Sequence, residues 1–346
     1  MIQEVSKSKS DSSGIGQAHA VTMLDGYGNH EFPRGLAVMT EVDRLMVGKV
    51  CMVTGATAGI GEVTARELAR RGATVFVVGR NAERCQRTVA AIQRDTGNSA
   101  VEFLCADLSS KAQIRCLAQQ FLERHKSLDV LVNNVGAMFT QRQESVDGIE
   151  MTLALNYVGV FLLTRLLLDA LKAAPPARII NVASEAHEDV PHFDFADPQF
   201  ARRGFGAYPR SEFGNILYAV AMPWAHPAFQ QYSRTKLALL LFTNELARRL
   251  AGTGVTANAL HPGLVATEFS NGNGVYGWLM RRFMKLRGIS VDEGSETTIY
   301  LATAPELEQV SGEYFVKRQV AATSAAAQDE AAAARLWQLS EEWVAG

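Results

Sequence analysis

Apolar runs alternate with amphipathic runs along most of the chain. From Val47 onward, the strand-like runs KVCMVTG, TVFVVGR, VEFLCADL and LDVLVNNVG are separated by runs of helical periodicity such as GEVTARELARRG. The pattern then predicts a long helix from about Ile149 to Lys172, the strand ARIINVAS, a helix from about Gln231 to Leu250, and the strand VTANALHPG. Continuous apolar strands alternating with helices indicate a parallel sheet covered on both faces. The predicted fold class is therefore α/β, with a single doubly wound parallel sheet.

Two stretches do not follow this alternation. Residues 1–43 form a predicted N-terminal extension: the Ser-, Lys- and Gly-rich part up to about residue 19 is expected to be disordered, and residues 20–43 to pack as an arm. The rest, 44–346, is predicted to be one domain with an inserted substrate-side segment at about 187–230.

Composition excludes several classes of function. A net charge of −2 gives no basic face for nucleic acid. The four cysteines show no metal-ligand spacing, so they are expected to be buried small residues, and no metal site is predicted. The N-terminus lacks a signal-peptide core, and no uninterrupted apolar stretch is long enough for a membrane span. A soluble cytoplasmic protein is expected.

A glycine-rich turn joins the first predicted strand to the first helix. In TGATAGIG (residues 54–61), Gly55, Gly59 and Gly61 permit a tight turn and let a pyrophosphate approach the helix N-terminus. Strand, turn and helix in this order favour phosphate binding over an empty turn, and they indicate a dinucleotide-binding sheet of the Rossmann type.

The end of the second strand distinguishes between the two nicotinamide cofactors. An acidic residue about 20 positions on would hold the 2′-hydroxyl of NAD, whereas an arginine suits a 2′-phosphate. Arg80 stands 19 positions after Gly61, with Arg84 and Arg87 on the next helix, and this favours NADP(H). Asp107 is placed to contact the adenine ring and Asn133 the adenosine side, although either could be a plain strand-end cap.

Tyr232 and Lys236 lie four residues apart on one predicted helix, and therefore on the same face. A phenol becomes a useful acid when a nearby cation lowers its pKa. Ser184 ends a strand at the carboxyl edge of the sheet, where its hydroxyl could bind a substrate carbonyl. Asn156, inside a helix, is either a satisfied buried amide or an anchor for a water that leads protons to Lys236.

Taken in order, TGATAGIG, NNVG, Asn156, Ser184, YSRTK and HPGLVATEF resemble the short-chain dehydrogenases/reductases over about residues 44–346. ARELARRGATVFVVGRN, ELARRLAGTGVTANALHPG and SGEYFV are similar to the retinol dehydrogenase-like branch of that family. Two departures stand out: Val135 replaces the alanine of the family's NNAG, and Tyr232 lies 48 positions after Ser184, well beyond the usual spacing.

The resemblance implies a catalytic tetrad of Asn156, Ser184, Tyr232 and Lys236. Tyr232 would be the general acid/base, Ser184 would orient the carbonyl, and Lys236 would hold the nicotinamide ribose while lowering the pKa of Tyr232. The implied NADP(H) contacts, besides Tyr232 and Lys236, are Gly55, Thr57, Gly59, Ile60, Gly61, Arg80, Asp107, Leu108, Asn133, Pro262, Gly263, Val265 and Thr267.

The long spacing leaves roughly residues 207–230 as an added, apolar segment. It is expected to form a lid or wall over the substrate pocket, with a dimer contact, a membrane-surface contact and a surface excursion without a role as alternatives. His187 and His226 are expected to be polar wall residues. An apolar wall implies a bulky apolar carbonyl or alcohol as substrate.

The function predicted is an NADP(H)-dependent oxidoreductase that interconverts a carbonyl and an alcohol, and the family's habit suggests a homodimer or homotetramer. The alternative is a catalytically silent NADP(H)-binding sensor or scaffold, against which the intact acid–base residues argue. A sugar-nucleotide epimerase would need a larger carboxyl-terminal lobe. Light-dependent protochlorophyllide reductase also resembles the chain, but its characteristic NAA and YPG sequence motifs are absent.

Overall fold

The computed structural model describes residues 45–201, 226–265 and 288–345. Its strands are β1 (Val50–Thr54), β2 (Thr74–Gly79), β3 (Val101–Cys105), β4 (Val130–Asn133), β5 (Ala177–Val182), β6 (Val255–His261), β7 (Tyr314–Val316) and β8 (Gln319–Val320). Its helices are α1 (Gly59–Arg70), α2 (Ala82–Thr96), α3 (Lys111–Arg124), α4 (Met151–Leu153), α5 (Gly159–Lys172), α6 (Pro227–Arg249), α7 (Val291–Thr303) and α8 (Glu330–Val344). The predicted extension 1–43, most of the segment 207–230 and Thr267 lie outside the described residues.

One sheet has the strand order β3-β2-β1-β4-β5-β6-β7-β8. Neighbouring strands from β3 to β7 are parallel, and only the short edge strand β8 runs antiparallel. The predicted doubly wound α/β fold is confirmed. The strand order reverses between β1 and β4, and ligands of open α/β sheets bind in the crevice at the carboxyl ends of such a pair.

Apolar residues on the two faces of the sheet pack into two separate cores. Along β1, Met52 belongs to the core that contains α3, α5, α6 and α8, while Cys51 and Val53 belong to the core that contains α1, α2 and α7. Both faces are buried, which explains why the strands are continuously apolar rather than alternating.

The prediction that all four cysteines are buried is wrong for two of them. Cys51 and Cys85 are buried, whereas Cys105 and Cys116 are exposed. Cys105 ends the edge strand β3, and Cys116 lies on α3, whose buried face is formed by other residues. All four are free thiols.

Helix α6 begins at Pro227, earlier than the predicted Gln231. Pro227 is the first helical residue, a position to which proline is well suited because its missing N–H costs nothing there. His226 caps the helix, because its Nδ1 accepts a hydrogen bond of 3.0 Å from the N–H of Ala228.

The predicted long helix from Ile149 to Lys172 begins at Met151 and is interrupted by a π turn over Ala154–Val158. Glu150 caps its start: the fully buried carboxylate accepts hydrogen bonds from the N–H groups of Thr152 and Leu153. The run Met151–Lys172 has the length and hydropathy of a membrane span, but 72% of its most apolar window is buried inside the protein. Its apolar character is therefore accounted for by packing in the core.

Candidate active site

The glycine turn between β1 and α1 has the backbone shape that the sequence predicted. Gly55 and Gly59 adopt left-handed φ angles of 65° and 60°, which side chains rarely tolerate. A Cβ added to Gly61 would lie 2.5 Å from Nδ2 of Asn134 and 2.6 Å from the carbonyl oxygen of Gly55. Glycine is therefore required at these positions for the turn to close against β4.

The start of α1 is suited to an anion. Ala58 precedes the helix and offers no side-chain cap. The N–H groups of the first turn, including that of Ile60, therefore have no acceptor among the carbonyl groups of the helix itself. The positive end of the helix dipole lies at the same place. The side chain of Ile60 is buried, 8% exposed, so this residue would contact a pyrophosphate through its main chain.

Asn134 stabilises the turn, and the sequence analysis did not assign it a role. Its Nδ2 donates to the carbonyl oxygens of Thr54 (2.9 Å) and Gly55 (3.3 Å). The hydroxyl of Thr54 in turn accepts from the N–H groups of Asn134 and Val135. The doubled asparagine of the NNVG stretch was the available signal, because a polar pair directly after a buried strand needs partners.

Arg80 follows the end of β2 and is exposed. A Cβ on the adjacent Gly79 would lie 2.7 Å from Cγ2 of Thr57, so Thr57 of the glycine turn lies against this strand end. Arg87 lies 3.4 Å from the Glu83 carboxylate, one helical turn away on α2. Of the predicted arginines, Arg80 is the one that follows the strand end beside the glycine turn.

Three residues were predicted to contact the adenosine end of the cofactor, and their side chains lie in different surroundings. One carboxylate oxygen of Asp107 accepts from the N–H and hydroxyl of Ser109, as a strand-end cap would. The side chain of Leu108 is 4% exposed and belongs to a core, so a contact with the cofactor would be made through its main chain, and the predicted contact stays a prediction.

Asn133 is the third of these residues, and its side chain is buried. It is 1% exposed, and its amide donates to Oγ1 of Thr164 and to Oδ1 of Asn181. The side chain therefore points toward Thr164 of α5 and Asn181 of β5, and the predicted contact with the adenosine side stays a prediction that only the main chain of Asn133 could fulfil.

At the other end of the crevice, the hydroxyls of Ser184 and Tyr232 are hydrogen-bonded to each other. Ser184 follows β5, and its Oγ also accepts from the N–H of Ala186 at 3.2 Å. Burial raises the pKa of Tyr232 to about 12, and the hydrogen bond with Ser184 lowers it in part. Tyr232 is therefore a protonated phenol at neutral pH.

Lys236 lies beneath the tyrosine ring, with Nζ 5.5 Å from the ring centroid. The ammonium donates a hydrogen bond of 2.7 Å to the carbonyl oxygen of Val182, and the side chain is 3% exposed. Burial lowers the pKa of Lys236 to about 8. The net pKa of Tyr232 is raised and not lowered, because desolvation of the phenol outweighs the effect of the hydrogen bond with Ser184.

Asn156 lies in the π turn and is fully buried. Its Oδ1 accepts from the N–H of Ala137 (2.9 Å), and its Nδ2 donates to the Ala137 carbonyl (2.9 Å) and to Oγ1 of Thr235 (3.2 Å). The sequence left two interpretations of Asn156 open. The structure supports the first, a buried amide whose oxygen and nitrogen both have hydrogen-bond partners. A Cβ added to Gly136 would lie 3.5 Å from Nζ of Lys236 and 3.7 Å from Oδ1 of Asn156, so glycine leaves room between these groups.

The loop after β6 follows the carboxyl end of that strand. Gly263 has a φ of 90°, and a Cβ there would lie 2.6 Å from Ile289. Val265 is 4% exposed and forms an isolated bridge with Ile289, while Pro262 is half-buried. The pairing with Ile289 therefore fixes the backbone of this loop, and its contacts with the nicotinamide stay a prediction.

Neither predicted wall histidine lines an open surface, since both are fully buried. His187 accepts from the N–H of Ser324 through Nε2, while its Nδ1 lies 2.8 Å from the carbonyl oxygen of Ser184. His226 caps α6, and burial lowers its pKa to about 4. His187 therefore joins two backbone segments and His226 caps its own helix, and the role of either ring as a polar wall of the substrate pocket stays a prediction. Among the described residues, no group of His, Cys, Asp or Glu side chains is arranged to hold a metal ion.

Comparisons with known proteins agree with this geometry. A family model described as short chain dehydrogenase matches residues 49–194 and 215–274. Retinol dehydrogenase 12 of Mus musculus is 39% identical over 295 residues, covering 85% of this chain and 86% of that protein. The chain belongs to the short-chain dehydrogenase/reductase family. It lies in the retinol dehydrogenase-like branch: retinol dehydrogenase 13 of Homo sapiens is 38% identical over 309 residues, covering 86% of this chain and 85% of that protein.

A solved structure supports the fold assignment of this family member. A short chain dehydrogenase from Burkholderia cenocepacia, in complex with NADP, superposes with a TM-score of 0.58 at 25% identity, covering 79% of this chain and 96% of that chain. As a member of the family, the short-chain dehydrogenase described here is an oxidoreductase that acts on alcohols or carbonyl compounds with a nicotinamide cofactor.

Proposed function

We propose that the protein is an NADP(H)-dependent oxidoreductase that interconverts a carbonyl and a primary or secondary alcohol on a bulky apolar substrate, with Tyr232 as general acid/base. The observation that carries the proposal is the hydrogen bond between the hydroxyls of Ser184 and Tyr232 at the carboxyl edge of β5, with Lys236 beneath the tyrosine ring. Two adjacent hydroxyls can both form hydrogen bonds with one substrate oxygen.

Ser184 and Tyr232 have different roles at that oxygen. When bound, the reduced nicotinamide supplies a hydride to the carbonyl carbon. Ser184 donates a hydrogen bond to the carbonyl oxygen, and Tyr232 transfers its phenolic proton to the same oxygen, which becomes the alcohol. The raised pKa of about 12 supports this role in reduction, because the phenol keeps its proton until negative charge develops on the substrate.

Lys236 stabilises the tyrosinate that remains. Its ammonium lies 5.5 Å from the ring centroid, and a cation at that distance in a buried site favours the phenolate electrostatically. Asn156 and Thr235 hold the two helices together beside it. We assign Lys236 a second role in holding the nicotinamide ribose, on the family resemblance.

Two observations support NADP(H) over NAD(H). Arg80 is exposed directly after β2 beside Thr57, in the place where an arginine suits a 2′-phosphate. The related Burkholderia cenocepacia structure was solved with NADP.

The apolar substrate is supported by the neighbours of Tyr232. Met138, Phe200 and Ala228 form a small buried cluster, against which Phe229 and Tyr232 pack. The similar proteins are named retinol dehydrogenases, and retinol is a long apolar alcohol of the proposed class. We therefore propose retinal as the first bulky aldehyde to test.

The experiment follows the absorbance of NADPH, and separately of NADH, with purified protein and a panel of bulky apolar aldehydes and ketones. Oxidation of NADPH well ahead of NADH is the expected result. Preference for NADH would overturn the role of Arg80 and leave the chemistry intact. Tight NADPH binding without turnover on any compound of the panel would favour the sensor function instead.

A further inference from the structure

Arg234 stands in the middle of YSRTK and is only 8% exposed. A buried arginine needs partners for its guanidinium, because desolvating an unpaired charge is costly. Several of its contacts lie in one stretch of chain, residues 193–201, here named the flanking segment. This segment lies within the predicted inserted segment at about 187–230 and contributes no described strand to the sheet.

Three contacts connect Arg234 to the flanking segment. Its guanidinium carbon lies 4.6 Å from the centroid of the Phe200 ring, a cation–π geometry. Its Nη1 donates to the carbonyl oxygen of Asp197 at 3.4 Å, and its Nη2 lies 3.7 Å from the Asp194 carboxylate. A planar, delocalised cation can make all three contacts at once.

The flanking segment is folded on itself around the same aspartates. Oδ1 of Asp194 accepts from the N–H groups of Ala196 and Asp197, and Oδ1 of Asp197 accepts from the N–H of Ala201. The segment is thus a compact turn with two carboxylates, and Arg234 supplies positive charge to it from α6.

Phe200 is held in a conformation that it would not adopt by itself. Its φ of 53° lies in the left-handed region, which is unfavourable for a bulky side chain unless the surroundings enforce it. The ring is 2% exposed and packs with Met138 and Ala228, the cluster against which Phe229 and Tyr232 lie. The contact with Arg234 therefore fixes a ring in the apolar surroundings of the proposed acid.

We propose that Arg234 is a positioning residue that determines specificity: by holding Phe200 and the flanking segment, it shapes the wall beside Tyr232 for bulky apolar substrates. The proposal rests on the proposed function and adds a device for substrate selection to it. Small substrates, which do not reach the wall, depend little on Arg234.

The test compares Arg234→Met, which removes the charge and keeps the length, with Arg234→Lys, which keeps the charge without the planar stacking group. The matched control is Arg335→Met. Arg335 lies 4.3 Å over the ring of Phe195 in the same flanking segment, but it reaches that segment from α8 and not from the helix of Tyr232. Thermal unfolding of each variant shows that it is folded.

For each protein we would measure kcat and KM with retinal and with a small aliphatic aldehyde, the Kd of NADPH, and amide hydrogen exchange in peptides that cover residues 193–201. In Arg234→Met we expect kcat/KM for retinal to fall about tenfold or more and that for the small aldehyde to change less than about threefold. The Kd of NADPH should be unchanged, exchange of the segment should be faster, and Arg234→Lys should be intermediate. Arg335→Met should keep the wild-type ratio of the two substrates.

Equal losses on both aldehydes, or an unchanged ratio, would overturn the specificity role. Unchanged exchange in Arg234→Met would overturn the positioning role whether or not the enzyme is active. If the wild-type protein reduces neither aldehyde, the proposed function fails, and the exchange experiment still decides separately whether Arg234 holds the segment. If Arg234→Met does not fold, Phe200→Leu replaces it, with the same expected loss of preference for retinal.

Discussion

The amide of Asn156 donates a 3.2 Å hydrogen bond to the hydroxyl of Thr235, which itself donates at 2.7 Å to the carbonyl oxygen of Tyr232. Both side chains are fully buried. The hydroxyl therefore joins the π turn of one helix to the turn of α6 that contains the tyrosine and lysine. The hydroxyl is therefore one of the contacts that set the position of Asn156 relative to Tyr232 and Lys236.

Replacing Thr235 by valine keeps the shape and removes the bridge. We expect kcat to fall about tenfold and the protein to lose about 1–3 kcal/mol of stability, because buried polar groups lose a partner. Steady-state kinetics and urea unfolding measure the two effects. Thr235→Ser, which keeps the hydroxyl, should retain most of the activity; equal losses in both variants would contradict the bridge.

Tyr232→Phe removes the proposed acid and leaves the ring. We expect kcat to fall by about 100- to 10,000-fold, the usual contribution of general acid–base catalysis, with NADPH affinity changed little. Fluorescence titration with NADPH and initial rates would be measured on the same preparation. A variant that retains more than a tenth of the wild-type kcat would show that another group supplies the proton.

Arg80→Ala should weaken NADPH binding about 10- to 100-fold and leave NADH binding nearly unchanged, since a hydrogen bond to a charged group contributes about 1.5–3 kcal/mol. The matched control is Arg87→Ala. That arginine lies 3.4 Å from Glu83, so its loss should change the preference little. Similar effects of the two substitutions would assign cofactor selection to general positive charge and not to Arg80.

The rate of reduction should depend on pH through Lys236. Burial lowers its pKa to about 8, so the ammonium is charged at neutral pH and loses its proton as the pH rises through that value. We therefore expect kcat for reduction to be level below about pH 7 and to decline above about pH 8. Oxidation should show the opposite trend, because it needs the phenolate of Tyr232, whose pKa is raised to about 12. The kcat–pH profile tests both, and an unchanged inflection in Lys236→Met would assign it to another group.

Substitutions at the two members of the buried pair Tyr157 and Ser340 should destabilise the protein by different amounts. The two hydroxyl oxygens are 2.7 Å apart, and Ser340 also donates to the carbonyl oxygen of Leu336. Tyr157→Phe should cost about 1 kcal/mol, whereas Ser340→Ala should cost more, about 1–3 kcal/mol, because it leaves a buried phenol without a partner. Urea unfolding of both variants measures the difference, and a smaller effect of Ser340→Ala would contradict the pairing.

Local patterns in the sequence were sufficient for the sheet, the glycine turn and the pairing of Tyr232 with Lys236. Continuous apolar strands mark a sheet buried on both faces, left-handed glycines mark a turn, and a spacing of four residues on a helix puts two side chains on one face. These rules depend on neighbours in the chain. The start of α6 was predicted too late, at Gln231 instead of Pro227, because its cap is His226 and histidine is not among the usual capping residues.

Long-range contacts decided the rest. The sequence does not show that Asn133 faces Thr164 and Asn181 instead of the crevice, that Thr235 receives the amide of Asn156, or that Arg234 lies on Phe200. Each pair joins segments distant in the chain, and the direction of each side chain follows from the packing of whole helices and strands. What the sequence alone determined is therefore the fold and the kinds of chemical groups at its carboxyl edge. Which groups meet, how deeply they are buried and how far their pKa values move was decided by the tertiary structure, because desolvation and hydrogen bonding act between residues that only the fold brings together.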